Sequence, residues 1–209
     1  SLDLDGTISN TTGTSTLTIT GTSDIGGSIT TSGTQDYEGA ITVTGHTTLV
    51  SGDQITFDTT VNSEGSETNN LTITASEVQF DGIVGGTRTL GVIDITGSLD
   101  LNAAITNATS LSVSTTSNLG ANVTTSSTQT YSGAVTLSGG ARTLTTTDNN
   151  ITFSSTVDSD SADTKRNLTV TLGSGSATFS GIVGTTSLAD ITLNSSATFN
   201  AAVTATNLT

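Results

Sequence analysis

Along this chain a large apolar residue opens a five-residue unit that closes on Ile or Val and keeps a small residue at its centre. The unit occurs eleven times. Its first places hold Leu4, Ile25, Tyr37, Phe57, Phe80, Leu101, Leu119, Tyr131, Phe153, Phe179 and Phe199. Both Tyr and all five Phe of the chain stand there. The centres are Gly, Ala, Ser or Thr, as in Gly39, Ala103, Ser155 and Thr59. Between the units lie alternating runs such as Leu17-Thr18-Ile19-Thr20, Leu71-Thr72-Ile73-Thr74 and Leu168-Thr169-Val170-Thr171. A period of two predicts strands with one buried and one wet face. Helical spacing is absent. In an extended strand the three marked residues of the unit share one face, and a small central residue lets the backbone bend or approach its neighbour. Three short strands in about 20 residues describe one coil of a parallel β-helix, an all-β solenoid. On this reading the first-place residues stack as a single core column. Eleven coils at the strand spacing make a rod of roughly 50 Å.

The units are themselves arranged in a larger period. Their spacings run 21, 12, 20, 23 and 21, then 18, 12, 22, 26 and 20. This predicts a super-repeat of about 97 residues with five coils: residues 1–97, then 98–195, with 196–209 beginning a third copy in one continuous rod. Residues 29–44 and 123–138 agree at nine of sixteen positions. The two 12-residue spacings leave no room for a third strand and predict truncated coils or tight loops there. The longest spacings contain polar inserts, 62–69 and 158–166, which should protrude. The chain reads as a segment of a longer tandem array.

Composition narrows the class. The chain has 50 Thr and 29 Ser among 209 residues, no Cys, no Pro and no Met. Thr suits an outward strand position because its branched β-carbon fits a pleated surface. The formal charge is -14, with only Arg88, Arg142, Lys165 and Arg166 basic. That balance argues against nucleic acid and anionic membrane as partners. No apolar run is long enough to span a bilayer as a helix, so membrane insertion is not expected.

The runs Thr34-Gln35-Asp36-Tyr37-Glu38-Gly39-Ala40-Ile41-Thr42 and Thr128-Gln129-Thr130-Tyr131-Ser132-Gly133-Ala134-Val135-Thr136 resemble repeats of large exported bacterial proteins of the filamentous-haemagglutinin type. So do the Phe-Ser-Gly-Ile-Val-Gly and Ile-Thr-Phe-Ser-Ser-Thr-Val segments. The resemblance covers essentially the whole chain. It implies a right-handed parallel β-helix, extracellular or on the cell surface.

Candidate chemistry is sparse. His46, the only His, lies in a turn-like context, and the second copy has Gly140 or Ala141 there. Asp158, Asp160 and Asp163 gather carboxylates in one loop, which suits Ca²⁺; no other cofactor is expected. Asp3 and Asp5 form a second, weaker string. Outward Thr pairs at Thr18/Thr20, Thr42/Thr44, Thr72/Thr74 and Thr169/Thr171 resemble ice-binding ladders, with Asp94 and Asn194 breaking the regularity. Asn-x-Ser/Thr sequons begin at Asn10, Asn70, Asn107, Asn122, Asn150, Asn167, Asn194 and Asn207. A glycan-active enzyme needs paired carboxylates in a groove, and near-identical repeats argue against one dedicated active site. The expectation is a non-catalytic structural segment of an extracellular filament or bacterial cell-surface adhesin, with further copies stacked end to end as partners. The alternative is a module that binds a cell-surface or glycan ligand through loops 62–69 and 158–166. Ice binding and glycan chemistry are remote options.

Overall fold

Alternation of apolar and hydroxyl residues is what makes these short runs strands, and the strands stack. The computed structural model describes all 209 residues, as twenty-five strands and no helix. The strands pair in parallel throughout. The chain winds about 10 turns of about 21 residues as a β-solenoid.

Each turn lays one strand on each of three faces. Face A runs through Leu2–Leu4, Ser23–Ile25, Ile41–Val43 and Val61–Ser63, then the bridges at Val84 and Ile105. It continues through Val123–Thr125, Arg142–Thr146, Leu168–Thr171 and residues 191–193. Face B takes Thr7–Asn10, Ser28–Thr31, Thr47–Ser51 and residues 71–74, 93–95 and 111–113. Gln129–Tyr131, Ile151–Phe153, Ser176–Phe179 and Ser196–Phe199 complete it. Face C takes Leu17–Ile19, Gln35–Tyr37, Gln54–Phe57 and residues 77–80 and 98–101. It ends with Ser117–Leu119, Val135–Leu137, Val157–Ser159 and residues 183 and 203. Inward residues of all three faces form one core cluster of 42 buried apolar side chains. No turn buries its own apolar residues; stacking creates the interior.

The five-residue unit does not lie along one strand face as expected. Its first residue ends one strand and its closing residue opens the next: Tyr37 ends Gln35–Tyr37, and Ile41 opens Ile41–Val43. The unit therefore turns a corner of the prism. Its centre is small because the corner backbone rests on the turn beneath. A Cβ added to Gly39 would lie 2.1 Å from the Gly21 carbonyl oxygen, and one on Gly82 would lie 2.0 Å from that of Thr59.

The single column is also corrected, into three. Leu4 stacks on Ile25 at the corner from face A to face B. Tyr37, Phe57, Phe80, Leu101 and Leu119 stack at the corner from C to A. Tyr131, Phe153, Phe179 and Phe199 stack at the corner from B to C. The 12-residue spacings cause the change, and no coil is truncated. Ile25 pairs with Val43 one turn on, and Tyr37 pairs with Ile19 one turn back. Tyr37 thus stands two corners, or two-thirds of a turn, past Ile25. Each super-repeat holds four full-turn spacings and one of two-thirds, which refines the expected five coils to four and two-thirds. Successive copies are rotated to a new corner.

Two interior hydroxyls lack partners. Ser23 Oγ and Ser117 Oγ are buried with no hydrogen bond, and Ser117 sits in register between Leu99 and Val135. An unpaired buried polar group is destabilising. Ser117→Ala is therefore expected to raise the unfolding free energy by about 1 kcal/mol. Urea titration of the variant beside the parent reads this; a lower midpoint contradicts it.

Candidate functional site

Any site on this molecule is a feature of its corners and outer faces, because the interior is filled. Face C carries the densest polar network. Gln54 Nε2 donates to Glu77 Oε1 (2.8 Å), and Gln79 Nε2 donates to Asp81 Oδ2 (2.8 Å). Asn102 Nδ2 donates to Asp81 Oδ1 (2.9 Å), and Asn118 Nδ2 donates to Asp100 Oδ1 (2.7 Å). Each of these carboxylates is thus met by a side-chain amide. A shallow groove of about 300 Å³ lies there, lined by Glu77, Ser98, Asp100, Asn118 and Thr136 among others.

The Ca²⁺ candidates do not converge. Asp158 Oδ1 accepts the Thr186 N–H of the next turn at 2.9 Å. Asp160 forms a two-pronged ion pair with Arg166, at 2.6 and 2.9 Å. That hydrogen bond holds the Asp160 carboxyl below its ordinary range. Asp163 is exposed. Nowhere does the chain bring together three His, Asp or Glu side chains able to hold a metal. The physical reason is that Asp158 belongs to a strand, while Asp160 caps an excursion beside a cation. His46 is exposed, and its Nδ1 accepts the Asn70 N–H at 3.1 Å.

The inserts begin two residues later than expected. Residues 62–63 and 158–159 still belong to the strands Val61–Ser63 and Val157–Ser159. The excursions then leave the rod, with residues 65–68 and 162–165 exposed. Buried Ser63 and Ser159 hold their far ends, their Oγ atoms accepting the N–H of Asn69 and Arg166. The first excursion stands at the corner from A to B and the second at the corner from C to A. Equivalent loops therefore point in different directions.

The Thr pairs are likewise divided. Thr18 lies on face C, Thr42 and Thr169/Thr171 on face A, and Thr72/Thr74 on face B. Four sequon asparagines have a structural use. Asn70, Asn122, Asn150 and Asn167 each open an Asn-apolar-Thr segment, and each Oδ1 accepts a backbone N–H one turn on. The donors are Val92, Thr143, Ser176 and Asp190, at 2.8 to 3.1 Å.

Charge is uneven. Thirteen of the eighteen carboxylates lie in residues 1–100. Glu38, Asp58 and Asp81 follow the stacked Tyr37, Phe57 and Phe80 at the corner from C to A; in the second copy Ser132, Ser154 and Ser180 follow the corresponding rings at the corner from B to C. Asp36 titrates above its ordinary value, by desolvation first and the charge of Asp58 second. A raised folded value means stability present below the unfolded pKa and lost as pH rises through the folded one. Asp36→Asn is therefore expected to flatten the decline in melting temperature as pH rises upward from 3.8. Parallel pH–melting curves for both proteins would contradict this.

Hydropathy patterning misses the buried glutamines. Gln35 and Gln129 are fully enclosed and bonded to Tyr37 and Tyr131. A signal for them does exist: each stands two residues before a core Tyr, on the same strand face. No protein-family model, curated protein or solved structure matches the chain.

Proposed function

We propose that this chain is a non-catalytic structural segment of an extracellular filament or bacterial cell-surface adhesin. The observation that carries the reading is the parallel register on three faces around a continuous apolar core. Such a body resists extension through ladders of backbone hydrogen bonds, and its acidic, hydroxyl-rich surface keeps it soluble. The likeness to filamentous-haemagglutinin-type repeats agrees with this use, and on this reading further copies continue the rod end to end. Antibodies raised against the chain test it. They should label the surface of intact source cells or shed fibres. Labelling only after permeabilisation would overturn the proposal.

A second reading, a ligand-binding adhesin module, is favoured by the exposed excursions at residues 65–68 and 162–165. Here a glycan array is probed with the parent rod and with rods whose excursions are replaced by Gly-Ser linkers. Binding lost with the rod intact favours this reading; no binding by the parent rejects it.

A further inference from the structure

We infer that face B is an ice-binding surface. The Thr-x-Thr pairs that sequence spacing picks out lie on different faces, but inter-turn register assembles another ladder. Its first outward column runs in unbroken register over ten turns, from Thr7 to Thr198. Nine of the ten residues are Thr or Ser, and the tenth is Asp94. All ten are exposed or half-buried. A second outward column, two residues on, passes through Ser9, Thr30, Val50, Thr74 and Thr96. Higher up the rod, Ser132, Ser154 and Ser180 stand exposed two residues after Thr130, Thr152 and Thr178. Asp94 is the one charged residue in the face B strands. The other faces differ. The outward column of face C holds Asp36, Gln79, Asp100, Asn118 and Asp158. That of face A begins with Asp3 and Asp24 and reaches Asn62 two turns later.

The chemistry of the face selects its ligand. A protein partner would have to strip water from the whole hydroxyl array, and Ser is depleted at protein interfaces. A polyanion finds no cation on these strands. A carbohydrate finds no outward ring to stack on, because the aromatic side chains belong to the core. A ligand that is itself a lattice of water keeps the hydroxyls hydrogen-bonded and avoids that desolvation cost. Ice also requires a template with fixed repeats. Strand geometry sets about 4.8 Å between rungs and roughly 7 Å between the two columns, close to oxygen repeats of hexagonal ice. Beside Thr130, Thr152, Thr178 and Thr198, the rings of Tyr131, Phe153, Phe179 and Phe199 stack at 4.6 to 5.3 Å and hold the rungs in place. Thr is stiff at χ1, so the array is ordered before it meets the crystal, and little entropy is lost on contact. Ice then grows only between adsorbed rods, where its front must curve. Asp94 interrupts the ladder after the fourth rung, since a carboxylate keeps a hydration shell that ice does not incorporate.

The test uses the whole chain. Amine-labelled protein is offered to a slowly growing ice hemisphere, and the gap between melting and freezing points is read by nanolitre osmometry. The parent should enter the ice and open a gap. Thr152→Lys places a charge in the middle of the ladder and should reduce both readings to those of an inert protein. Thr136→Lys places the same charge in the outward column of face C and should leave both unchanged. Asp94→Thr mends the ladder and should widen the gap. Exclusion of the parent from ice overturns the inference. So do equal losses for Thr152→Lys and Thr136→Lys at matched melting temperature. If Thr152→Lys melts early, Asp94→Thr decides alone, and an unchanged or narrower gap overturns the inference. Sedimentation adds one further outcome: self-association abolished by Thr152→Lys, with no retention of the parent in ice, would make face B a contact between rods and overturn the assignment of ice as its ligand.

Discussion

Phe153→Ala is expected to lower the unfolding free energy by about 3–5 kcal/mol. Phe153 is fully buried and stacks between Tyr131 at 5.3 Å and Phe179 at 4.7 Å, with the rings within 13° of parallel. Deleting it removes apolar burial and both ring contacts, and rigid backbone ladders above and below limit collapse of the hole. Phe199 supplies the comparison. It stacks on one ring only, Phe179 at 4.6 Å, and is only partly buried. Phe199→Ala should therefore be clearly milder. Equilibrium denaturation of the two variants reads the difference. Equal losses would mean that neither burial nor ring stacking sets the cost.

Gly82→Ala should destabilise by about 3 kcal/mol or more, beyond the usual cost of one added methyl group. Its new Cβ would fall 2.0 Å from both the carbonyl carbon and the oxygen of Thr59, backbone atoms that move only if the turns part. The same slot of the first unit behaves oppositely. A Cβ on Gly6 would meet nothing within 4 Å. Gly6→Ala should therefore be neutral or slightly stabilising. Melting temperatures of the two Ala variants test whether the central slot is small because of stacking or because of local backbone shape. Equal effects would favour local shape.

Much of this architecture is legible in the chain. Period-two runs identify strands because only extended backbone alternates its side chains. Confinement of the aromatics to one slot marks them as core, and all but Phe199 are enclosed. The position of that slot within the turn is not legible. Leu4, Tyr37 and Tyr131 look alike in sequence, yet they stand at three different corners. Alternation gives the inward residues and says nothing about which of three equivalent corners a unit occupies. A 12-residue spacing can mean a truncated coil or two-thirds of a full one, and only inter-turn pairing distinguishes them.

Polar positions are harder to read, for a related reason. Outward polarity is the usual rule, so Gln35 and Gln129 look like surface residues although their phase with Tyr places them inside. The carboxylates at 158, 160 and 163 are close in sequence, but a strand end and an excursion part them. The sequon asparagines look like a consequence of Ser/Thr abundance. Half of them satisfy backbone N–H groups one turn away, a role that depends on stacking and leaves only a weak local trace.

The three-cornered core depends on the stepping of the five-residue unit, and one pair of crosslinks tests that step most directly. Asp24 and Thr42 are register partners on adjacent turns of face A, whereas Asp36 lies on face C and pairs with Thr18. Adjacent parallel strands lie within disulfide reach. A two-thirds step predicts ready closure of Asp24→Cys with Thr42→Cys and none of Asp24→Cys with Asp36→Cys. Closure of the second pair with failure of the first would show a truncated coil at the 12-residue spacing and contradict the rotation of successive copies.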